Sequence, residues 1–212
     1  KGITIFSKQA VMTIGDTTLT LLDTPGHIDF STETERTLSV LDYCILVISG
    51  ADGVENHTKT LWKLLDRYNV PTFIFINKMD ISHYTKEEIL ADIHKHLSEN
   101  AVSISDTDSL VLCDEAIMEE YLENENVSVD TISNAILSRN LFPCFFGSAL
   151  KLDGITEFLE AIDTYTKMPS LNKDFGTKIY KITHDNDGNR LTHLKVTGGE
   201  LKAKTLLEYN TD

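Results

Sequence analysis

Pro71-Thr72-Phe73-Ile74-Phe75-Ile76, followed at once by Asn77-Lys78-Met79-Asp80, is a nearly unbroken apolar run that stops on a cluster of polar groups. So short a run reads as a strand buried on both faces, the habit of parallel sheets covered by helices. Two runs of the same kind flank it, Tyr43 to Ser49 (YCILVIS) and Leu141 to Phe146. Between the first two strands, Asn56 to Tyr68 carries Leu61, Leu64 and Leu65 at helical spacing and supplies the crossover. Strand, helix, strand in this order implies right-handed connections and an α/β fold.

Working outward, Val11 to Ile14 and Thr17 to Leu22 are β-type runs joined by Gly15-Asp16, a tight hairpin. A buried strand is expected up to Asp23, and a helix over about Thr32 to Leu41. After the last buried strand, Ile155 to Thr166 is helical. Beyond Met168-Pro169-Ser170 the pattern turns to β. Lys178 to Thr183, Arg190 to Thr197 and Thr205 to Tyr209 are expected strands, separated by Asp187-Gly188-Asn189 and Gly198-Gly199. Three strands cannot close a barrel or bury much core by themselves, and read as the start of an all-β unit.

Residues 81–140 hold 13 Asp/Glu and three Lys/Arg, and so contribute -10 of the chain's formal charge of -14. Helical patches are expected at Lys86 to Leu97, Glu115 to Tyr121 and Val129 to Leu137, around a polar middle from Ser103 to Ser109. The plain reading is a solvated acidic insertion. The 212 residues contain no apolar run of the ~18 residues that a membrane helix needs, and no secretory signal. Cys44, Cys113 and Cys144 are far apart, with two inside apolar runs, and read as buried reduced thiols of a cytoplasmic protein. The acidic balance argues against non-specific binding to naked nucleic acid.

Three polar clusters sit where strands are expected to end, the edge of an open α/β sheet at which ligands bind. Asp23-Thr24-Pro25-Gly26-His27 offers a carboxylate that could hold magnesium through water, a glycine that lets a backbone N–H approach a phosphate, and a histidine able to orient a water. Asn77-Lys78-Met79-Asp80 begins 54 residues after Asp23. The Asp80 carboxylate can accept the adjacent N1–H and N2–H donors of guanine. Adenine lacks that pair, and a site left with an unpaired carboxylate discriminates by ~10⁴ or more. Asn77 can tie neighbouring loops together, and the Lys78 stem can lie over the base. In Gly147-Ser148-Ala149-Leu150, the Ala149 N–H can reach the guanine carbonyl. Taken singly each cluster has a duller reading, as a turn or a helix start; their order is what carries the chemistry.

With Gly2-Ile3-Thr4-Ile5 upstream, DTPGH, NKMD and GSAL in this order resemble the translational GTPases over residues 1–169, and DFSTETERTLSVLD, ILVISGADGV and FINKMD are similar too. The chain most resembles elongation factor G and the ribosome-protection tetracycline-resistance proteins. The compact 81–140 segment leans to the latter. The resemblance implies a P-loop-type GTPase domain at 1–169, with a mostly parallel sheet and helices on both faces, and the start of the second-domain β-barrel at 170–212. It implies that Thr4 and Asp23 bind magnesium, Gly26 contacts the γ-phosphate and His27 is catalytic, ordering water when ribosomal RNA engages it. Asn77, Lys78, Asp80, Ser148 and Ala149 then form the guanine pocket for GTP or GDP. Implied too are the ribosome as partner, no membrane, a monomer and a cytoplasmic location.

Departures from the pattern are Lys1 for Arg, Tyr43 for Gly and Ile81 for the Arg of elongation factor G. No GxxxxGK[ST] phosphate loop lies within these residues, and in the family that loop and the first strand precede GITI. The chain therefore reads as an internal fragment, expected to bind GTP poorly and hydrolyse it negligibly alone. The parent is expected to be a ribosome-stimulated GTPase. The alternatives are an elongation factor G-type translocase and, in another class, a catalytically silent partner-binding module.

Overall fold

The computed structural model describes residues 8–15, 17–24 and 31–206. Two compact units divide the chain, Lys1–Lys167 and Met168–Asp212.

The first unit opens with β1 (Lys8–Ile14) and β2 (Thr17–Asp23), antiparallel, with Ile14 opposite Thr17 and Lys8 opposite Asp23. Gly15 adopts φ +54°, the left-handed value such a turn requires. Burial alternates along β2 instead of covering both faces, so the expectation of a fully buried strand before Asp23 is corrected. Helix α1 (Ser31–Leu38) ends earlier than expected. Next come β3 (Cys44–Ser49), α2 (Asn56–Arg67) and β4 (Thr72–Asn77).

Residues 81–140 fold into α3 (Lys86–His96), β5 (Ala101–Val102), α4 (Thr107–Val111), α5 (Glu115–Asn124) and α6 (Val129–Leu137). Their starts are written locally. Thr85 and Glu88 make a reciprocal capping box on α3, and Asp106, Asp114 and Ser128 accept from first-turn N–H groups of the next three helices. Then β6 (Phe142–Phe146) and α7 (Ile155–Tyr165) complete the unit.

Strands β3, β4, β6 and β5 form one parallel sheet in that order. Strand β4 is central, and its side chains alternate between two cores. Ile74 and Ile76 join Leu46, Ile48, Leu65 and Ile93 on one face. Phe73 and Phe75 join Ile117, Ile136, Phe158 and Ile162 on the other. Each such fully buried side chain contributes about 1.5–3 kcal/mol relative to exposure.

Two expectations are corrected here. Strand β3 is not buried on both faces: Ile45 and Val47 are 37% and 57% exposed, because β3 is the edge strand of this sheet among the described residues. Nor is the acidic segment merely solvated. None of its carboxylates is buried, but Ile89, Ile93, Leu110, Ile117 and Ile136 are buried in the two cores, and the polar middle conceals α4. Tyr43 uses its bulk: its hydroxyl accepts the Lys167 N–H at 2.8 Å and its ring meets Phe73. The three thiols are free, Cys113 and Cys144 buried and Cys44 half-buried.

The second unit is the antiparallel pair β7 (Gly176–His184) and β8 (Arg190–Gly198), with register shifts near Gly176 and Tyr180. Asp185 closes their turn by accepting from the Asp187 and Asn189 N–H groups. Thr205 and Leu206 are not in a strand, which corrects that end of the third expected run; residues 207–209 lie outside the described set.

Candidate functional site: the ends of β4 and β6

The C-terminal ends of β4 and β6 lie side by side, and a short backbone network welds the loops that follow them. Gly147 donates to the Ile76 carbonyl at 2.9 Å, and Met79 donates to the Gly147 carbonyl at 3.0 Å. Gly147 tolerates no side chain: a Cβ there would stand 2.1 Å from the Asp153 carbonyl oxygen. Asp153 and Ser148 exchange two backbone hydrogen bonds, of 3.0 and 3.1 Å, closing the loop after β6 on itself.

Asn77 is the hinge between the loops. Its side-chain Oδ1 accepts the Lys78 N–H at 2.8 Å and the Ala149 N–H at 2.9 Å. Lys78 takes φ +64°, a left-handed conformation that is costly for a residue with a Cβ and is held here by the Asn77 contact. One turn of 3₁₀ helix, Met79–Ile81, then presents Asp80. Backbone strain at the head of a motif and a side chain bridging to a second motif are the marks of a preorganised site.

Asp80 and Ser148 are brought together. The Ser148 hydroxyl beside Asp80 is the largest cause holding its carboxyl below the ordinary aspartate range; its own backbone N–H and the Lys151 ammonium add to it. Lys151 Nζ stands 3.5 Å from Asp80 Oδ2. The Ser148 Oγ is fully buried, and Asp80 is the acceptor it faces, at a geometry short of a well-formed hydrogen bond. The Lys78 ammonium faces Asp52 at 4.0 Å, with its stem exposed.

Four residues that sequence reasoning did not single out shape this edge. Lys151 pairs with Asp80. Gly50 donates to the Asn77 carbonyl at 2.7 Å, and a Cβ there would meet Met79 Sδ at 2.6 Å. Asp92, on α3, accepts the Val54 N–H at 2.8 Å through one oxygen and meets His96 Nδ1 at 2.8 Å through the other. Ser82 donates to the Gly50 carbonyl at 2.7 Å. The glycines of GADG were a readable signal for the loop; Asp92 and Ser82 act across 38 and 32 residues of chain and carried none.

Asp23 is the last residue of β2 and is exposed. Its single hard-oxygen donor suits a magnesium ion that keeps most of its waters, and no cluster of three metal-ligating side chains occurs among the described residues. Thr4, Gly26 and His27 lie outside the described residues.

A family profile described as Elongation factor Tu GTP binding domain matches residues 1–168. Elongation factor G of Ureaplasma parvum serovar 3 is 28% identical over 284 residues, covering 99% of this chain and 41% of that protein. Tetracycline resistance protein TetM of Streptomyces lividans is 27% identical over 242 residues, covering 99% of this chain and 38% of that protein. The chain thus spans about two fifths of the length of these relatives. A crystal structure of a protein from Thermus thermophilus superposes with a TM-score of 0.80 at 20% identity, covering 94% of this chain and 38% of the other, a likeness of fold.

Proposed function

Since this chain belongs to the elongation factor Tu GTP-binding domain family, whose profile spans residues 1–168, we propose that it is the guanine-recognising part of a ribosome-dependent translational GTPase. The observation that carries this reading is the Asn77 bridge. One side-chain oxygen joins NKMD to GSAL and so sets Asp80, Ser148 and the Ala149 N–H around one space. There Asp80 takes the N1–H and N2–H donors of guanine, the Ala149 N–H, donated to Asn77 Oδ1 in this structure, is shared with the base's carbonyl oxygen, and the Lys78 stem covers the ring. Because the Asp80 carboxyl stays ionised, adenine leaves it unpaired and is rejected.

Phosphoryl transfer asks a protein chiefly for positioning and charge stabilisation. In the proposed reaction His27 orients the attacking water, Gly26 contacts the γ-phosphate, and Thr4 and Asp23 hold magnesium. The ion, when bound, neutralises phosphate charge. The partners proposed are the ribosome, its RNA included, and guanine nucleotide; the protein is proposed to act as a cytoplasmic monomer.

The ribosome-protection, tetracycline-resistance type is the reading we favour within the family. The same 99% of the chain is matched across 284 residues to elongation factor G but 242 to TetM, so the chain as a whole aligns with TetM with fewer added residues. An elongation factor G-type translocase is the second reading, supported by an identity of 28% against 27% for TetM.

The test is Asp80→Asn in the full-length protein. Xanthine carries a carbonyl where guanine has its amine, so the variant's kcat/KM preference should move from GTP towards XTP by at least about 100-fold. An unchanged GTP preference, or equal use of ATP by the unsubstituted protein, would overturn the assignment of Asp80.

A further inference from the structure

Behind the welded loops runs a groove of about 720 Å³, in the size range of ligand sites. Its floor is the end of β6, from Cys144 to Gly147, with Met79 at one end. One wall is the stretch Ser103-Ile104-Ser105 that follows β5. Strand β5 pairs with β6 only through Phe142 and Pro143, so the chain departs from the sheet there and leaves the remainder of β6 as floor. The other wall is a single face of α7, on which Glu157, Glu160, Ala161 and Thr164 recur at helical spacing.

The lining has two chemistries. Ile104, Phe145, Phe146 and Ala161 make it apolar below, while Asp153, Glu157 and Glu160 rim it with three carboxylates. These three form no ion pair with another side chain among the described residues. Lys86 is the lone cation of the lining, and its ammonium lies over the Phe146 ring at 5.4 Å. An apolar floor beneath an unpaired acidic rim matches a side chain with an aliphatic stem and a cationic head, the build of lysine and arginine.

We propose that this groove binds a basic, extended segment of a protein partner, and that its occupancy is linked to base binding at the same loops. The linkage has a short physical route. Met79 and Gly147 line the groove and hydrogen-bond each other, and Asp153 lines it while exchanging two hydrogen bonds with Ser148. A segment pressing on those backbones shifts Ser148, Ala149 and Asp80 together. Only the linkage rests on the guanine reading; the groove's preference for a basic segment stands on its lining alone.

The experiment is fluorescence anisotropy of a labelled octapeptide of alternating lysine and leucine against the chain. It is compared with a glutamate–leucine octapeptide and with Glu157→Lys/Glu160→Lys, both exposed positions on α7. Circular dichroism melts confirm that the variant folds. Saturable binding of the basic peptide is expected, at least ten-fold weaker to the variant and accompanied by amide shifts at Ile104 and Thr164. Equal binding by the acidic peptide, undiminished binding to the variant, or complete displacement by equimolar spermine would overturn the site. With the site established, GDP should change peptide affinity by the same factor by which peptide changes GDP affinity. Peptide binding indifferent to a GDP that does bind would overturn the linkage, whereas failure of GDP to bind at all would strike the guanine reading.

Discussion

Asn77 does with one oxygen what two loops could not do separately. Each hydrogen bond contributes about 0.5–1.5 kcal/mol net, and losing this acceptor also strands two N–H groups and frees the strained Lys78 backbone. Asn77→Ala should therefore weaken guanine nucleotide binding by roughly ten-fold or more, with a smaller loss of melting temperature; calorimetric titration against GDP checks it. Asp80 gives a second prediction, in pH. Its carboxyl is held below the ordinary aspartate value, first by Ser148, then by backbone and Lys151. A depressed folded-state pKa contributes stability that is present above the unfolded value, about 3.9, and lost as pH falls through the folded one. Guanine selectivity should stay flat from about pH 8 down to about 5, and the carboxyl carbon of Asp80 should titrate only below the normal aspartate range. A midpoint above about pH 4 would contradict this account of the site.

At the scale of elements, the strands were the legible part. PTFIFI and LFPCFF have no charged residue to place on a solvated face, and both became central strands. YCILVIS has a similar composition yet takes an edge among the described residues, because order within a sheet depends on partners that a local pattern does not name. The two-residue strand β5 and the five-residue helix α4 are too short to impose a periodicity. In the acidic segment, charge concealed a buried stripe of isoleucines. The site was legible where its residues follow strands in sequence, and illegible where a side chain such as Asp92 or Lys151 arrives from another element. Arg139 is one of the hidden cases. It sits after α6 with φ +60°, its side chain only 6% exposed, stacked on Trp62 and Phe142 and donating to the Val70 carbonyl and towards Thr72. This one cation joins α2, β4 and β6. Arg139→Ala removes packing and strands the Val70 carbonyl, and should cost about 2–4 kcal/mol in urea unfolding. A loss below about 0.5 kcal/mol would show that the stack is incidental.

Across the whole chain, the cores of the first unit and the two hydrogen-bonded loops at its strand ends form one construction. Both faces of β4 are buried, so Asn77 and the turn that carries Asp80 leave a strand with no freedom to slide. Strand β6, held to β4 in register from Cys144 to Phe146, delivers Ser148 and Ala149 against them. The chain aligns with much longer relatives, and what we propose it contributes is a place to read a base. The central claim is that Asn77, Asp80, Ser148 and Ala149 recognise guanine. The most direct measurement is an amide nitrogen–proton correlation spectrum of the 212-residue chain, titrated with millimolar GDP, ADP and XDP. The account predicts saturable shifts of the Lys78 and Ala149 amides with GDP and far smaller ones with ADP and XDP. Equal shifts with all three, or none with GDP, would contradict it.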